Sequence, residues 1–196
     1  MTSGRVVLIR HGETEWSRDW RHTGRTDLPL TRTGEAQARQ LRAVLDGRPF
    51  AAVVSSPLQR ARRTAEIASL TDVTTDDDLV EWDYGDVEGI TTKAWREGHP
   101  GWWLWRDGAP GGETVDDVAA RAAKALDRIR PHLARGDVAV VAHGHLLRVL
   151  AAVWCELPPI AGAHLRLDVA CLSLLGFEHD TPVILRWNAP VRDPLD

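Results

Sequence analysis

The sequence is poor in cysteine, lysine, tyrosine and phenylalanine, and it has no long apolar run. Among its 196 residues only Cys155 and Cys171 carry thiols. Two thiols cannot make a disulfide framework, and no CxxC or Cys/His spacing marks a metal site, so none is expected. Both lie in apolar stretches, VWC and VACLSLL, and read as buried structural thiols. No window reaches the ~18 to 20 apolar residues of a membrane span. The opening MTSGRVVLIRHGE lacks the apolar core of a signal peptide, so a cytoplasmic protein with no membrane partner is expected. A basic excess is missing too. The formal net charge is -4, from 24 Lys+Arg against 28 Asp+Glu, which argues against nucleic acid as a partner. Any anionic ligand must therefore be held by a local basic cluster. Lys93 and Lys124 are the only lysines, an arginine bias that a GC-rich genome alone would give and that says little about function.

Hydrophobic residues make up 43% of the chain, enough for a core without staples, and the length suits one domain over 1–196. RVVLI at 5–9 and DVAVVA at 137–142 are β-rich apolar runs that stop at Arg10-His11-Gly12 and His143-Gly144-His145. AAVVS at 51–55 is a third such run, stopping at Ser56. Helical patterns lie between them. One starts near Thr31 or Thr33, with Ala36, Leu41, Val44 and Leu45 as its apolar stripe, and ends at Gly47-Arg48-Pro49. Others run from about Pro57 to Leu70, from Thr114 to about Leu133, and from His143 through Trp154, with a short one over Thr91 to Gly98. Pro100 to Gly112 reads as a loop carrying Trp102, Trp103 and Trp105, a candidate surface for homo-oligomerisation. Residues 167–175 and 183–187 read as two late, antiparallel strands. The alternation predicts an α/β three-layer sandwich, a largely parallel central sheet with helices on both faces, and ligands at the carboxyl ends of its strands.

A histidine directly after a strand can be a metal ligand, a general base, a nucleophile or a packed core residue. Arg10 stands where a strand should stay apolar, so it needs an anionic partner. Gly12 allows close backbone approach to a ligand. No Cys or paired carboxylate stands at ligand spacing from His11, which weakens the metal reading.

LIRHGETEW resembles the signature of the histidine phosphatase superfamily, the phosphoglycerate mutase-like proteins. RHTGRTDLPLTRTGEAQA, SSPLQRARRTAE, LVEWDYGDVEG and VVAHGH resemble the family's further motifs, in the family's order. The resemblance implies that His11 attacks phosphorus and becomes a phosphohistidine, with no cofactor. It places Arg10, Arg60 and His143 on the phosphoryl oxygens, where a planar guanidinium can pair two oxygens at once. Glu81 takes the position of the proton donor to the leaving oxygen, its carboxyl partly shielded by Trp82. Gly12, Ser17, Thr23, Gly24, Trp82, Tyr84, Gly144 and His145 fall in the motifs that line the substrate. Arg62, Arg63, Asp83 and Glu88 read as surface or supporting residues. Glu113 either caps the long helix or approaches the site.

Three departures favour hydrolysis over mutase chemistry. Resemblance to phosphoglycerate mutases leads one to expect Arg after the acid glutamate and Asn six residues after the nucleophile; here they are Trp82 and Ser17. The stretch 91–112 is short and tryptophan-rich where mutases carry a longer basic insertion. The first reading is a phosphatase acting on small phosphate monoesters, with broad or aromatic-tolerant range. The alternative is a 2,3-bisphosphoglycerate-dependent phosphoglycerate mutase.

Overall fold

Strands β1 (Val6–Arg10), β2 (Ala52–Ser55), β3 (Val73–Thr75) and β4 (Val138–Ala142) lie parallel in one sheet, in the spatial order β3-β2-β4-β1. The sheet continues from β1 into β5 (Leu172–Glu178) and β6 (Thr181–Ala189), both added antiparallel. This is a computed structural model, and it describes residues 4–191. β1 and β4 are apolar throughout because both faces are covered, as in parallel sheets generally. Successive side chains feed two separate cores. Val6, Leu8, Val138 and Val140 join one, with helices α6 (Val115–Ile129) and α7 (Gly144–Trp154). Val7, Ile9, Ala139 and Val141 join the other, with α2 (Arg32–Leu45) and α3 (Gln59–Ile67). The expected α/β sandwich with a largely parallel sheet is the observed architecture.

Three short helices complete the chain: α1 (Glu15–Arg18), α4 (Thr92–Gly98) and α5 (Leu104–Asp107). Thr31 caps α2 by accepting from the Gly34 amide, and Thr114 forms a capping box with Asp117 on α6. The apolar face of α2 is made by Gly34, Ala38, Leu41 and Leu45; Ala36 points to solvent. α3 starts two residues later than expected because Leu58, extended, is its N-cap, so Pro57 precedes the helix instead of opening it. The edge strand β3 and the helix α5 are not legible as elements in the sequence, being three and four residues long.

Two surface expectations are corrected. Trp102 and Trp105 are buried and Trp103 is half-buried, so the 100–105 segment offers no aromatic patch for self-association. The Trp105 ring packs on Trp82 and His145, and the Trp102 ring on His22 and Trp95. Cys155 and Cys171 are free but only half-buried, and partial burial pushes both thiols up in pKa. Among the described residues no helix is long and apolar enough to cross a membrane.

Candidate active site

Register brings the three polar strand ends together. Arg10 lies opposite Ala142 across the β1–β4 pair, and Ser55 lies opposite Val141 across β2–β4. The ladder runs on one step, with the His11 amide donating to Ala142 O and the Ser56 amide to Val141 O. His11, Ser56 and His143 therefore emerge side by side at the carboxyl edge of the sheet, and the rings of His11 and His143 meet edge to face with centroids 5.1 Å apart.

The His11 ring is fixed by Nδ1, which lies 2.7 Å from the carbonyl oxygen of Gly12. A carbonyl only accepts, so Nδ1 carries the proton and Nε2 presents its lone pair. Burial, then Arg60 and Arg10, hold the imidazole pKa well below the usual histidine value, which keeps the ring neutral. Gly12 serves a purpose other than ligand approach. A Cβ there would collide with the Gly34 carbonyl, so glycine lets the loop after β1 lie directly on the first turn of α2. The Gly12 amide is taken by Thr64 Oγ1 at 3.1 Å.

Arg10 has few protein partners. Nη1 donates to Leu167 O at 2.5 Å, while Nε is buried without a partner. The guanidinium lies against Gly144 at the start of α7, where a Cβ would stand 3.1 Å from Arg10 Cζ. Arg60, on the first turn of α3, is held quite differently. Nε donates to His143 Nδ1 at 3.1 Å, Nη1 to Thr26 O, and Nη2 to Thr23 O and Gly24 O. Four of its five N–H groups are thus committed to the protein, leaving one at most for a ligand. Arg60 therefore keeps no free two-pronged fork of the kind expected for a ligand; the fork builds the 23–26 loop. His143 Nδ1 accepts from Arg60, so in the neutral ring Nε2 carries the proton, donated to Ser56 Oγ at 2.7 Å. Burial and Arg60 push this imidazole well down as well.

Glu81 approaches from the loop after a 3-10 turn at Asp77–Leu79. Its Oε1 accepts from the amides of Trp82 and Leu146, at 2.9 and 2.8 Å, and Oε2 from the amide of His145 at 3.0 Å. Since α7 has no side-chain cap of its own, Glu81 caps it from outside the helix. With Oε1 doubly occupied, Oε2 is the oxygen with room for a proton. Trp82 does not shield this carboxyl from within the site. It is fully buried in the core, its indole donating to Glu113 O at 2.9 Å, which corrects the expectation that it touches substrate.

Arg10, His11, Glu81, Tyr84, Gly144 and His145 form the inner wall of a cavity of about 910 Å³. Arg60 and His143 lie fully buried beside it. Burial drives the Tyr84 phenol well above its ordinary pKa and the His145 imidazole well below. Tyr84 O–H then donates to His145 Nδ1, at 2.5 Å, and His145 keeps its proton on Nε2. Ser17 and Thr23 are in the wall, but Ser17 Oγ is occupied in the capping box with Thr14 and Thr23 Oγ1 donates to Arg21 O. Gly24 lies outside the wall; its amide donates to both Glu88 oxygens at 2.9 Å. Arg62 and Arg63 are exposed, as their run of charges implies.

Three cavity residues escape a reading by motif. His22, its ring tilted against Tyr84 with centroids 4.7 Å apart, is lowered to about 4 by burial. Arg148 lies over the Trp105 ring, 4.6 Å from its centroid, and donates to Gly162 O and Ala163 O. Its position four residues after Gly144 puts it on the same helix face, a spacing that was readable. Trp20 stands at the mouth, 81% exposed. Among the described residues no group of three or more His, Cys, Asp or Glu is arranged to hold a metal ion.

The sequence profile of the Histidine phosphatase superfamily (branch 1) matches residues 6–190. An acid phosphatase of Mycobacterium tuberculosis is 41% identical over 179 residues, 89% of this chain and 87% of that protein. A sedoheptulose 1,7-bisphosphatase of Saccharomyces cerevisiae is 39% identical over 181 residues, 76% of this chain and 67% of that one. The solved structure of the open reading frame Rv3214 product from M. tuberculosis superposes with a TM-score of 0.91 at 37% identity, over 96% of this chain and 99% of the other. The chain belongs to the histidine phosphatase superfamily, branch 1.

Proposed function

We propose that this protein hydrolyses phosphate monoesters by way of a phosphohistidine on His11, with Glu81 as proton donor. One observation carries the reading. The His11 ring is pinned in the tautomer that points a free Nε2 lone pair into a cavity whose wall also holds the under-partnered guanidinium of Arg10 and the carboxyl of Glu81. In the first step Nε2 forms a bond to phosphorus as the ester P–O bond breaks. The leaving oxygen takes the proton from Glu81 Oε2, and the Nδ1–H to Gly12 O bond steadies the charge that develops on the ring. Arg10, with one N–H from Arg60, takes up charge on the phosphoryl oxygens. Water then attacks phosphorus, gives a proton to Glu81, and the N–P bond breaks to return neutral His11. Likeness to an acid phosphatase at 41% identity and a sedoheptulose bisphosphatase at 39%, against 32% for two probable phosphoglycerate mutases, supports hydrolysis over isomerisation.

The test is rapid quenching with ³²P-labelled substrate. Wild type should accumulate acid-labile protein phosphate, and His11→Ala should accumulate none and turn over nothing. Label on His11→Ala would place the nucleophile elsewhere. Incubation with 3-phosphoglycerate and 2,3-bisphosphoglycerate separates the mutase alternative, which yields 2-phosphoglycerate; the proposed enzyme yields inorganic phosphate.

A further inference from the structure

Among the described residues Trp20 is the one exposed large hydrophobic side chain that stands on a left-handed backbone. Its φ is +60°, a conformation that suits glycine and that bulky residues rarely adopt. The ring is 81% exposed, so no packing within the chain offsets the cost of that backbone. The backbone on either side is nevertheless fixed. The Trp20 amide donates to Ser17 O at the end of α1, and the Arg21 amide to Trp16 O. Arg21 then bridges to Thr91, and His22 exchanges hydrogen bonds with Ile90 and Gly89. A strained residue held in a braced turn is a common mark of a binding position. The turn stands at the mouth of the cavity that contains His11, whose outer wall includes His22, Trp102 and Trp103. At about 910 Å³ this cavity is in the range that encloses a drug-sized ligand, well beyond a phosphoryl group and a short alkyl chain.

Resting on the phosphatase reading above, we propose that Trp20 is a specificity residue that stacks on a planar ring carried by the alcohol part of the substrate. The substrate class is a phosphate monoester in which an alkyl oxygen links phosphorus to a group bearing an aromatic or heteroaromatic ring. Phosphorus lies at His11, the ester oxygen faces Glu81, and the ring reaches the mouth. An exposed indole suits this task because it offers a large π face at little conformational entropy.

The experiment compares 2-naphthylmethyl phosphate with glycerol 2-phosphate. Both leave as alkoxides, so the need for Glu81 is the same and only the ring differs. Wild type should favour the naphthylmethyl ester in kcat/KM. Trp20→Ala should cut that preference by about tenfold, the scale of one stacked ring, with the loss in KM and not in kcat. Trp20→Phe should keep most of the preference. Trp20→Gly, free of the backbone strain, should raise the Tm while losing the preference as Ala does. Equal effects on the two esters, or no preference in wild type, would overturn the assignment. So would a preference that survives Trp20→Ala while sedimentation shows a dimer falling to monomer, since the indole would then serve a second copy of this chain. Failure of the phosphatase reading shows separately, as turnover of either ester by His11→Ala.

Discussion

Arg60 Nε donates to His143 Nδ1 at 3.1 Å, and this single bond sets the tautomer of a ring packed against that of His11. The same guanidinium satisfies three carbonyls of the 23–26 loop, that of Gly24 buried and those of Thr23 and Thr26 partly so. Lysine cannot reproduce a fork of this shape. Arg60→Lys should therefore lower kcat/KM by about 100-fold. It should also lower the Tm, because each buried carbonyl left unpaired costs about 1–3 kcal/mol. Arg62→Ala, two residues on and exposed, should change neither. An Arg60→Lys enzyme with a wild-type Tm and rate would refute the assignment of Arg60 as the keystone of this loop.

Glu81 has a double duty that its variants should separate. The proposed role as proton donor would matter for poor leaving groups; the observed role as external cap of α7 matters for stability. Glu81→Gln keeps an oxygen for two of the amides but turns an NH₂ toward the third. Alkyl phosphates should slow by about 100-fold or more, and aryl phosphates, which leave with little protonation, by less than about tenfold. The loss in stability should be about 1 kcal/mol, the scale of a lost cap. Equal losses on aryl and alkyl esters would leave Glu81 a structural or water-activating role.

The sequence and structure divide instructively on these residues. The strand ends at Arg10-His11, Ser56 and His143 were legible because fully covered parallel strands are continuous apolar runs, and charge interrupts them visibly. The order of motifs then fixed the family. Partners could not be read, because hydrogen-bond targets are backbone atoms that no residue letter announces. Arg60 looked like a ligand fork and mostly binds carbonyls of residues 23, 24 and 26. Trp82 reads as pocket wall, yet it is core, because its ring packs behind Trp105 and His145, which line the cavity in its place. Gly12 looked like a ligand contact, and its close neighbour is Gly34, on a helix distant in sequence.

Acid should act on the fold before it acts on the nucleophile. His11, His143 and His145 are buried and pushed well below 6.5, and His22 is lowered to about 4, in each case chiefly by burial. Unfolded, each regains an ordinary value near 6.5. Below that pH the unfolded chain binds protons that the folded chain refuses, so stability is full above about pH 6.5 and falls as pH falls toward the depressed folded values. Each proton taken up on unfolding costs about 1.4 kcal/mol per pH unit. Thermal melts should thus show a Tm that drops from pH 7 to pH 5, while ¹⁵N NMR finds the His11 ring still neutral at pH 5. A flat Tm, or an imidazolium signal from His11 at pH 6, would contradict this.

Glu113 neither caps α6, which Thr114 does with Asp117, nor enters the cavity; it holds the acid segment in place. Its carboxylate takes Arg121 in a two-pronged pair, Oε1 to Nε at 2.7 Å and Oε2 to Nη2 at 3.0 Å, and Oε2 also accepts from the Asp83 amide at 2.8 Å. Arg121 Nη1 in turn donates to Asp78 O and Val80 O. The pair therefore grips the chain on both sides of Glu81, and both side chains are nearly out of solvent. Removing one partner of a buried pair leaves an uncompensated charge, so Glu113→Ala should destabilise the protein by about 3 kcal/mol. A purely structural role would end there. A positioning role adds a kinetic signature. With the 78–83 segment loosened, Glu81 Oε2 drifts from the leaving oxygen, and the folded fraction should lose rate on alkyl phosphates while aryl phosphates hold. Glu113→Gln, which can still accept from Asp83 and Arg121, should recover part of both stability and alkyl rate. The aryl-to-alkyl ratio of kcat, taken well below the Tm, decides: if Glu113→Ala leaves that ratio at its wild-type value, the Glu113–Arg121 pair holds the fold together without aiming the acid.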